Sequence, residues 1–188
     1  GGLAAAALVS AVVVNFNAGR LLAETVRSAL ASTVSVEVIV ADNGSTDGSI
    51  DSLRELVGEN PRLKIVENGA NLGFSRANNL ALRYARGDYL LFLNPDCLIY
   101  PDTLRDVLSV IGERSDVGMA GCLIRNPDGT EQAGCRRSIP TPWRSVVRAF
   151  GLYRFAGKWP RLFYDFHLHK QPLPDCPIEV EVVSGACM

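Results

Sequence analysis

Short apolar runs alternate along the chain with segments whose apolar residues recur at every third or fourth position. The first run, 8–15 (LVSAVVVN), contains no regular polar alternation, which is typical of a central parallel strand covered on both faces. Similar runs at 36–41, 63–66, 89–93 and 117–124 predict four more strands. The segments between these runs are long enough to hold one helix each.

Four of the intervening segments carry the apolar stripe of an amphipathic helix. Pro101 and Asp102 mark the start of the fourth helix, because proline is tolerated in a first turn. Strands that alternate with helices predict a Rossmann-like, doubly wound α/β fold, with a mostly parallel sheet and helices on both faces. The stripes are Leu22, Val26, Ala29 and Leu30; Ile50, Leu53, Leu56 and Val57; Ala77, Leu80, Ala81, Tyr84 and Ala85; and Leu104, Val107, Leu108 and Ile111.

Polar side chains follow three of the predicted strands at the point where each strand ends. Asn15 and Asn17 follow the first strand, Asp42 the second, and Asn94 and Asp96 the fourth. Ligands of open α/β sheets bind at the carboxyl ends of the strands. This edge of the sheet is therefore the candidate functional site.

The composition is that of an ordinary globular protein. The 188 residues are 47% hydrophobic and 21% charged, which excludes the disordered, collagenous and coiled-coil classes. Lys and Arg number 19 and Asp and Glu number 20, for a formal net charge of -1. No overall field attracts nucleic acid, and we expect no nucleic-acid partner.

The cysteines and the longest apolar stretch indicate where the chain resides. The five cysteines are never closer than 11 positions, which suits neither a disulfide framework nor a C-x-x-C zinc site. The apolar stretch at 3–14 is 12 residues long, whereas a helix needs roughly 20 to span a bilayer. We expect free thiols, no membrane-spanning helix and a cytoplasmic location.

Two familiar phosphate-binding loops are missing from the sequence. The first strand is followed by N-F-N-A-G-R rather than G-x-G-x-x-G, and the Gly-Lys pair at 157–158 lacks the flanking residues of a P-loop. A dehydrogenase or a P-loop NTPase is therefore disfavoured. A divalent metal ion can hold a diphosphate instead, because it prefers oxygen ligands and leaves positions for phosphate. Asp96 suits that task, although an acid after a strand also serves as a turn former or helix cap.

Several segments resemble one known family over nearly the whole chain. The D-N-G-S-T-D-G-S stretch after the second strand is the most specific of them. Together they resemble family 2 glycosyltransferases with the GT-A fold, particularly the bacterial rhamnosyltransferase-like branch. The matching segments are VVVNFN at 12–17, ADNGSTDGS at 41–49, NLGF at 71–74, LFLNPD at 91–96 and VSGACM at 183–188.

The resemblance implies substrate contacts at the ends of the first two strands. Asp42 would accept a hydrogen bond from the pyrimidine base of a UDP- or dTDP-linked sugar, and a carboxylate suits an imide N–H. Phe16 and Asn17 would border the base. Asn43, next to Asp42, is also expected to bind the substrate.

The resemblance also implies a metal ligand and phosphate contacts. Asp96 would be the metal-binding member of a D-x-D-like motif that binds Mg²⁺ or Mn²⁺, and Asn94 stands where the motif has its first carboxylate. Arg76 and Asn79 would lie beside the phosphates. The more usual Ala-Arg-Asn order reads Ala-Asn-Asn at 77–79.

The implied reaction is transfer of a sugar to a glycan or a lipid-linked acceptor, with inversion at the anomeric carbon, in the synthesis of cell-surface polysaccharide. An acceptor hydroxyl would attack while a metal ion neutralises the departing nucleoside diphosphate. Inversion needs a general base. In the family this base follows the S-G-A-C-M strand, so we expect it beyond Met188 and assign no catalytic residue; Asp165, Asp175, Glu179 and Glu181 are more typical of surface or strand-end charges.

The resemblance gives a domain division and leaves one segment unexplained. We expect one GT-A domain over 1–188, with a donor-binding core at 7–134, an excursion at 135–178 and a returning strand at 179–188. Residues 136–161 contain seven basic residues, no acidic residue and several aromatic ones. Such a segment can contact the inner face of the cell membrane peripherally, and a solvated loop over the site is the alternative.

Two other classes of function remain open at this stage. A nucleotidyltransferase uses a similar nucleotide fold and would carry extra carboxylates at the strand ends. A catalytically silent module that binds nucleotide sugars would lack the acidic motif in its full-length gene.

Overall fold

The computed structural model describes residues 7–132, 135–137, 141–155, 159 and 176–188. The chain separates into two compact units. In their described parts, the first contains residues 7–120 and 185–188, and the second contains residues 121–184.

The first unit is built on a four-stranded parallel sheet. Strand β1 is Leu8–Asn15, β2 is Ser35–Asp42, β3 is Leu63–Glu67 and β4 is Tyr89–Phe92. Their order in the sheet is β3-β2-β1-β4. Strands β1 and β2 pair along their whole length, with Leu8 opposite Ser35 and Asn15 opposite Asp42. The two central strands therefore end level with each other.

Four helices connect or follow these strands. Helix α1 is Leu21–Leu30, α2 is Ser49–Val57, α3 is Phe74–Ala81 and α4 is Thr103–Glu113, and a short 3₁₀ turn, Leu82–Tyr84, follows α3. The predicted third stripe therefore covers a helix whose last turn tightens and stops before Ala85. Each of the four predicted helices is present.

Burial of both faces of β1 and β2 explains their continuous apolar sequences. Val12 and Ile39 pack with Ala77 of α3 on one face. Val13 and Val40, which point the other way, are fully buried as well. The prediction of a doubly wound α/β fold with a central parallel sheet is confirmed.

A buried carboxylate fastens the amino ends of three strands together, at the edge opposite the candidate site. Glu37 of β2 accepts hydrogen bonds from Ser10 Oγ at 2.7 Å and from the backbone N–H of Arg86 at 2.7 Å. The Arg86 guanidinium donates two more at 3.0 and 2.7 Å. Burial, the largest single influence, raises the pKa of Glu37, but the bonds from Ser10 and Arg86 together hold it below its usual value of 4.5.

The end of β4 is extended by the last residues of the chain. Leu93 forms an antiparallel bridge with Cys187. The backbone N–H of Phe92 donates to Met188 O at 2.8 Å, and that of Asn94 donates to Ala186 O at 2.9 Å. Residues 186–188 therefore align antiparallel to the segment that leads to Asp96.

The prediction of a strand at 117–124 is wrong. Residues 117–124 form no ladder in the described structure, and the isolated bridge nearby joins Arg125 to Glu131. An apolar run becomes a strand only where another backbone pairs with it. Gly118 and Gly121 interrupt this run, and glycine weakens a strand interior.

The second unit contains small elements. Strands β5 (Arg136–Arg137) and β6 (Val182–Val183) pair antiparallel, and helix α5 (Pro142–Ala149) is followed by a 3₁₀ turn, Leu152–Phe155. Within the returning strand expected at 179–188, Val182–Val183 pairs as a strand and Cys187 forms a single bridge. None of the helices in the described part of the chain has the length and hydropathy required to cross a bilayer.

Candidate functional site

Asp42, the last residue of β2, holds together the loop that follows it. Its Oδ2 accepts hydrogen bonds from the backbone N–H groups of Gly44 at 3.1 Å and Ser45 at 3.0 Å. Its Oδ1 accepts from Ser45 Oγ at 2.6 Å and from Asn15 Nδ2 at 2.8 Å. The residue as a whole is 4% exposed. Because a carboxylate offers about four lone-pair directions, the loop and Asn15 together use all of them.

Asn15 connects the end of β1 to this loop. It is fully buried, and its Nδ2 lies 2.8 Å from Asp42 Oδ1, 3.0 Å from Ser45 Oγ and 2.9 Å from Ser49 Oγ. Its Oδ1 has no hydrogen-bond partner among the described residues. The carboxylate fixes this orientation, since the reverse orientation would place two oxygens against each other.

The loop after β1 is held against the loop after β2 by three hydrogen bonds. Asn17 has a positive φ of 55°, an uncommon conformation that asparagine tolerates better than most residues. Its backbone N–H donates to Ser45 Oγ at 3.0 Å, and its Oδ1 accepts from the N–H of Thr46 at 2.9 Å. The N–H of Gly19 donates to Asp47 Oδ2 at 2.7 Å. The two loops therefore form one surface.

Asp47 also binds the first residue of the helix that follows. Its Oδ1 accepts from the backbone N–H of Ser49, the first residue of α2, at 3.1 Å. Bonds to Ser49, and then the N–H of Gly19, hold the pKa of Asp47 below its ordinary value. The sequence indicates a helix N-terminal acid at this position, and the structure adds the link to the first loop.

Asn43 joins the ends of β2 and β3 to the start of α3. It is 2% exposed. Its Oδ1 accepts from Asn68 Nδ2 at 3.0 Å, and its Nδ2 lies 3.4 Å from both Asn71 Oδ1 and the carbonyl oxygen of Gly73. Its side chain is therefore occupied in positioning the segment that contains Arg76 and Asn79, both of which are exposed.

Gly44 lets this loop pack against the chain that follows β3. Its φ is +76°, and a Cβ atom there would lie 3.2 Å from both the N and the Cα of Ala70. A side chain at this position would meet backbone atoms in a strained conformation. The glycine of the D-N-G-S motif thus serves the close approach of two backbones.

Asn94 and Asp96 follow β4 at the same edge of the sheet. Asn94 is half-buried and Asp96 is exposed. The neighbouring Cys97 has a pKa lowered chiefly by a hydrogen bond from the Cys187 thiol. In the described residues no three or more His, Cys, Asp and Glu side chains gather into a metal-binding group. A carboxylate beside an amide oxygen suits Mg²⁺ that takes further ligands from substrate phosphates.

The structure brings the predicted residues to one edge of the sheet. Strand β1 lies between β2 and β4, so the ends of β2 and β4 are two strands apart, roughly 10 Å across the sheet. Asp42 ends β2, and Asp96 follows β4. Phe16, which follows β1, is 49% exposed at this edge. The sequence pattern predicts this edge as the candidate site, because the carboxyl ends of parallel strands that pair in register lie side by side.

Sequence reasoning missed the side chains that support the site. Ser45, Ser49, Asn68 and Asn71 take part in the networks around Asp42 and Asn43. The signal for Ser45 was available, because an Asp followed by Asn-Gly-Ser is typical of a turn in which the aspartate side chain accepts hydrogen bonds from the backbone two and three residues on. Nothing in the sequence signals the contact of Cys97 with Cys187, which lies far along the chain.

The family sequence profile described as "Glycosyl transferase family 2" matches residues 10–172 of this chain. The chain belongs to glycosyl transferase family 2. The family expected from the sequence motifs is therefore confirmed.

Curated relatives of this family 2 chain include a rhamnosyltransferase and a chondroitin synthase. It is 28% identical over 190 residues to an N-acetylglucosaminyl-diphospho-decaprenol L-rhamnosyltransferase of Mycobacterium tuberculosis, an alignment that covers 94% of this chain and 59% of the relative. It is 32% identical over 126 residues to a chondroitin synthase of Pasteurella multocida, an alignment that covers 65% of this chain and 13% of the relative. The family 2 chain thus spans less than two thirds of the length of these relatives.

Solved structures agree with the fold of the family 2 chain. The mannosyltransferase PcManGT from Pyrobaculum calidifontis, in complex with GDP-Man and Mn²⁺, superimposes with a TM-score of 0.54 and 26% sequence identity. The match covers 64% of this chain and 36% of that one. The predicted GT-A fold is therefore confirmed.

Proposed function

We propose that the chain binds a UDP- or dTDP-linked sugar and, as part of a glycosyltransferase, transfers the sugar with inversion to a glycan or lipid-linked acceptor in cell-surface polysaccharide synthesis. The observation that carries the proposal is the alignment of Asp42 and Asp96 at one edge of a parallel sheet. The rhamnosyltransferase relative, whose name specifies a diphospho-decaprenol acceptor, supports the lipid-linked class.

The proposed donor lies across the ends of β2, β1 and β4. Its base occupies the surface formed by Phe16, Asn17 and Asp42, and its diphosphate extends towards Asp96. The rough 10 Å between the two outer strand ends suits a nucleoside diphosphate, whose base and phosphates are separated by a ribose. Arg76 and Asn79, exposed on α3, supply contacts to the phosphates.

Asp96 and Asn94 are proposed to hold a divalent cation. Such an ion, when bound, supplies positive charge to the departing diphosphate. The single carboxylate fits an ion that the diphosphate itself ligates in large part. The Mn²⁺ named with the mannosyltransferase structure supports this choice of cofactor.

Asp42 is proposed to bind the base without dismantling its loop. Three of its four bonds come from backbone N–H groups or the Asn15 amide, whose positions are fixed. The fourth comes from the Ser45 hydroxyl. A change of the Ser45 side-chain rotamer moves Oγ away from Oδ1 and leaves that oxygen open to the imide N–H of a pyrimidine.

We assign no general base to the described residues. Glu179 and Glu181 are exposed, and Asp165 and Asp175 lie outside the described residues. An inverting transfer needs a base beside the acceptor hydroxyl. The proposal for the family 2 chain is therefore donor binding and positioning, with the base contributed separately.

A thermal-shift panel of UDP, dTDP, GDP and ADP, each with and without Mn²⁺, tests the proposal. We expect the pyrimidine diphosphates to raise Tm more than the purine ones, and Mn²⁺ to increase the shift. Equal shifts for all four nucleotides would contradict the pyrimidine site. Release of pyrophosphate from a nucleoside triphosphate and a sugar phosphate would instead identify a nucleotidyltransferase, and donor binding without transfer by the full-length gene product would identify a silent binding module.

A further inference from the structure

Helix α5 of the second unit presents apolar side chains to solvent. Trp143 is 52% exposed, Val146 is 39% exposed and Phe150, just after the helix, is 75% exposed. The spacing i, i+3 and i+7 places them on one stripe of a helix. Val147, beside that stripe, is fully buried, so the neighbouring side of the helix packs against the protein.

The stripe lies within the most basic part of the sequence. Residues 136–161 hold seven of the chain's 19 Lys and Arg residues and none of its 20 Asp and Glu residues. Arg144 and Arg148 belong to α5 itself. The partner of this helix should therefore combine negative charge with an apolar phase.

A lipid surface fits this combination better than other partners. Tryptophan and phenylalanine beside basic residues are typical of helices that lie in the membrane interface. A nucleic acid would gain stacking from the two aromatic rings but nothing from Val146 between them. A stable dimer buries about 1,200–2,000 Å², far more than three partly exposed side chains provide.

We propose that α5 is an interfacial helix that places Trp143, Val146 and Phe150 on an anionic lipid bilayer. The role of this helix rests on the proposed function, because an enzyme reaches a lipid-linked acceptor at a membrane. Its test measures membrane binding separately from donor binding. Failure of one leaves the other measurable.

Co-sedimentation with vesicles tests the apolar stripe. We expect the chain to bind vesicles that contain phosphatidylglycerol, to bind phosphatidylcholine vesicles weakly, and to lose binding as salt rises. The variant Trp143→Ala/Phe150→Ala should bind roughly tenfold more weakly or worse. Tyr100→Ala, a matched control at an 81% exposed aromatic residue of the first unit, should bind like the parent chain.

A second pair of variants tests the charge. Arg144→Gln/Arg148→Gln should weaken binding to anionic vesicles roughly tenfold to thirtyfold, given the usual contribution of each basic residue near a charged bilayer. Arg27→Gln/Arg83→Gln, which removes two exposed charges of the first unit, is the control. Equal losses in the two variants would overturn the assignment to α5.

Tryptophan fluorescence reports on the helix without an alanine substitution. The chain has two tryptophans, so Trp159→Phe leaves Trp143 as the reporter. Its emission should shift to shorter wavelength on anionic vesicles. The increase in Tm caused by UDP or dTDP should be the same in Trp159→Phe as in the parent chain. The proposal would be overturned if the emission did not shift, or if the chain bound single-stranded nucleic acid more tightly than vesicles. It would also be overturned if the chain bound no vesicles and formed a dimer that Trp143→Ala/Phe150→Ala abolished.

Discussion

At the scale of single residues, Asp42 organises its loop and is proposed to bind the base of the donor. One substitution tests both roles. The four hydrogen bonds of Asp42 shape residues 42–45 and hold Asn15. Asp42→Asn replaces one carboxylate oxygen with an amide that faces donors. We expect a loss of about 1–3 kcal/mol in the free energy of unfolding, together with weaker binding of UDP or dTDP.

Denaturant unfolding and calorimetry, run on the same samples, check both effects. Asp51→Asn, at an exposed aspartate of α2, is the control and should change neither. Weaker donor binding with unchanged stability would show that Asp42 contacts the ligand without organising the loop.

Sequence reasoning at the residue scale found the groups at strand ends but not their partners. Asn15 and Asp42 end β1 and β2, at the points where the apolar runs of the sequence stop. Asn43 was expected only as a substrate contact, whereas its amide also holds Asn68 and lies near Asn71. Such networks depend on loop paths that bring distant residues together, and local sequence does not determine those paths.

At the scale of elements, Gly87 sets how closely β4 begins beside β1. A Cβ atom there would lie 2.6 Å from Ser10 N and 2.7 Å from Leu8 O, inside backbone atoms that cannot move aside. Gly87→Ala should therefore lower the free energy of unfolding by about 1–3 kcal/mol.

Gly112 offers a matched control for this substitution. It lies in α4, where a Cβ atom would meet nothing within 4 Å, and its φ is not positive. Gly112→Ala should stabilise the protein by about 0.5–1 kcal/mol, since alanine favours a helix interior. Denaturant unfolding of the two variants gives opposite signs, and equal effects would contradict the close approach at Gly87.

The buried Glu37 makes the sheet sensitive to acid. Its pKa in the folded protein is lower than its usual value of 4.5, so its contribution to stability is present above pH 4.5 and is lost as pH falls through the lower folded pKa. Glu37→Gln should lower the free energy of unfolding by about 1–3 kcal/mol at neutral pH and reduce its dependence on pH below 4.5. The exposed Glu55→Gln is the control, and an unchanged acid slope in Glu37→Gln would contradict this role.

At this scale, the sequence predicted strands correctly where a buried apolar run also has a neighbouring strand to pair with. The runs at β1, β2, β3 and β4 became strands because each has a parallel neighbour. The run at 117–124 has a similar apolar content but no ladder, and apolar content alone does not reveal a partner. Helix α3 was predicted from its stripe, whereas its 3₁₀ ending was not, because tightening of a last turn depends on how the chain enters β4.

At the scale of the whole molecule, the candidate site follows from parallel pairing. Asp42 and Asp96 are far apart in sequence, and the order β2-β1-β4 places both at the carboxyl edge of the sheet. The sequence motifs supplied the chemistry expected there, and the sheet supplied the proximity. The elements of the second unit were not predicted from the sequence, because the helical spacing at 143–150 covers only two turns within a segment rich in Pro, Arg and aromatic residues.

Titration calorimetry of UDP and dTDP with and without Mn²⁺, on the parent chain and on Asp96→Asn, is the most direct test of the central claim. A charge pair at 4 Å is worth roughly 4 kcal/mol at an effective dielectric of 20, so we expect Mn²⁺ to tighten binding to the parent chain by tenfold or more. That gain should disappear in Asp96→Asn and persist in Asp51→Asn. An undiminished Mn²⁺ effect in Asp96→Asn would contradict the placement of the cation, and no binding of either nucleotide to the parent chain would contradict the site as a whole.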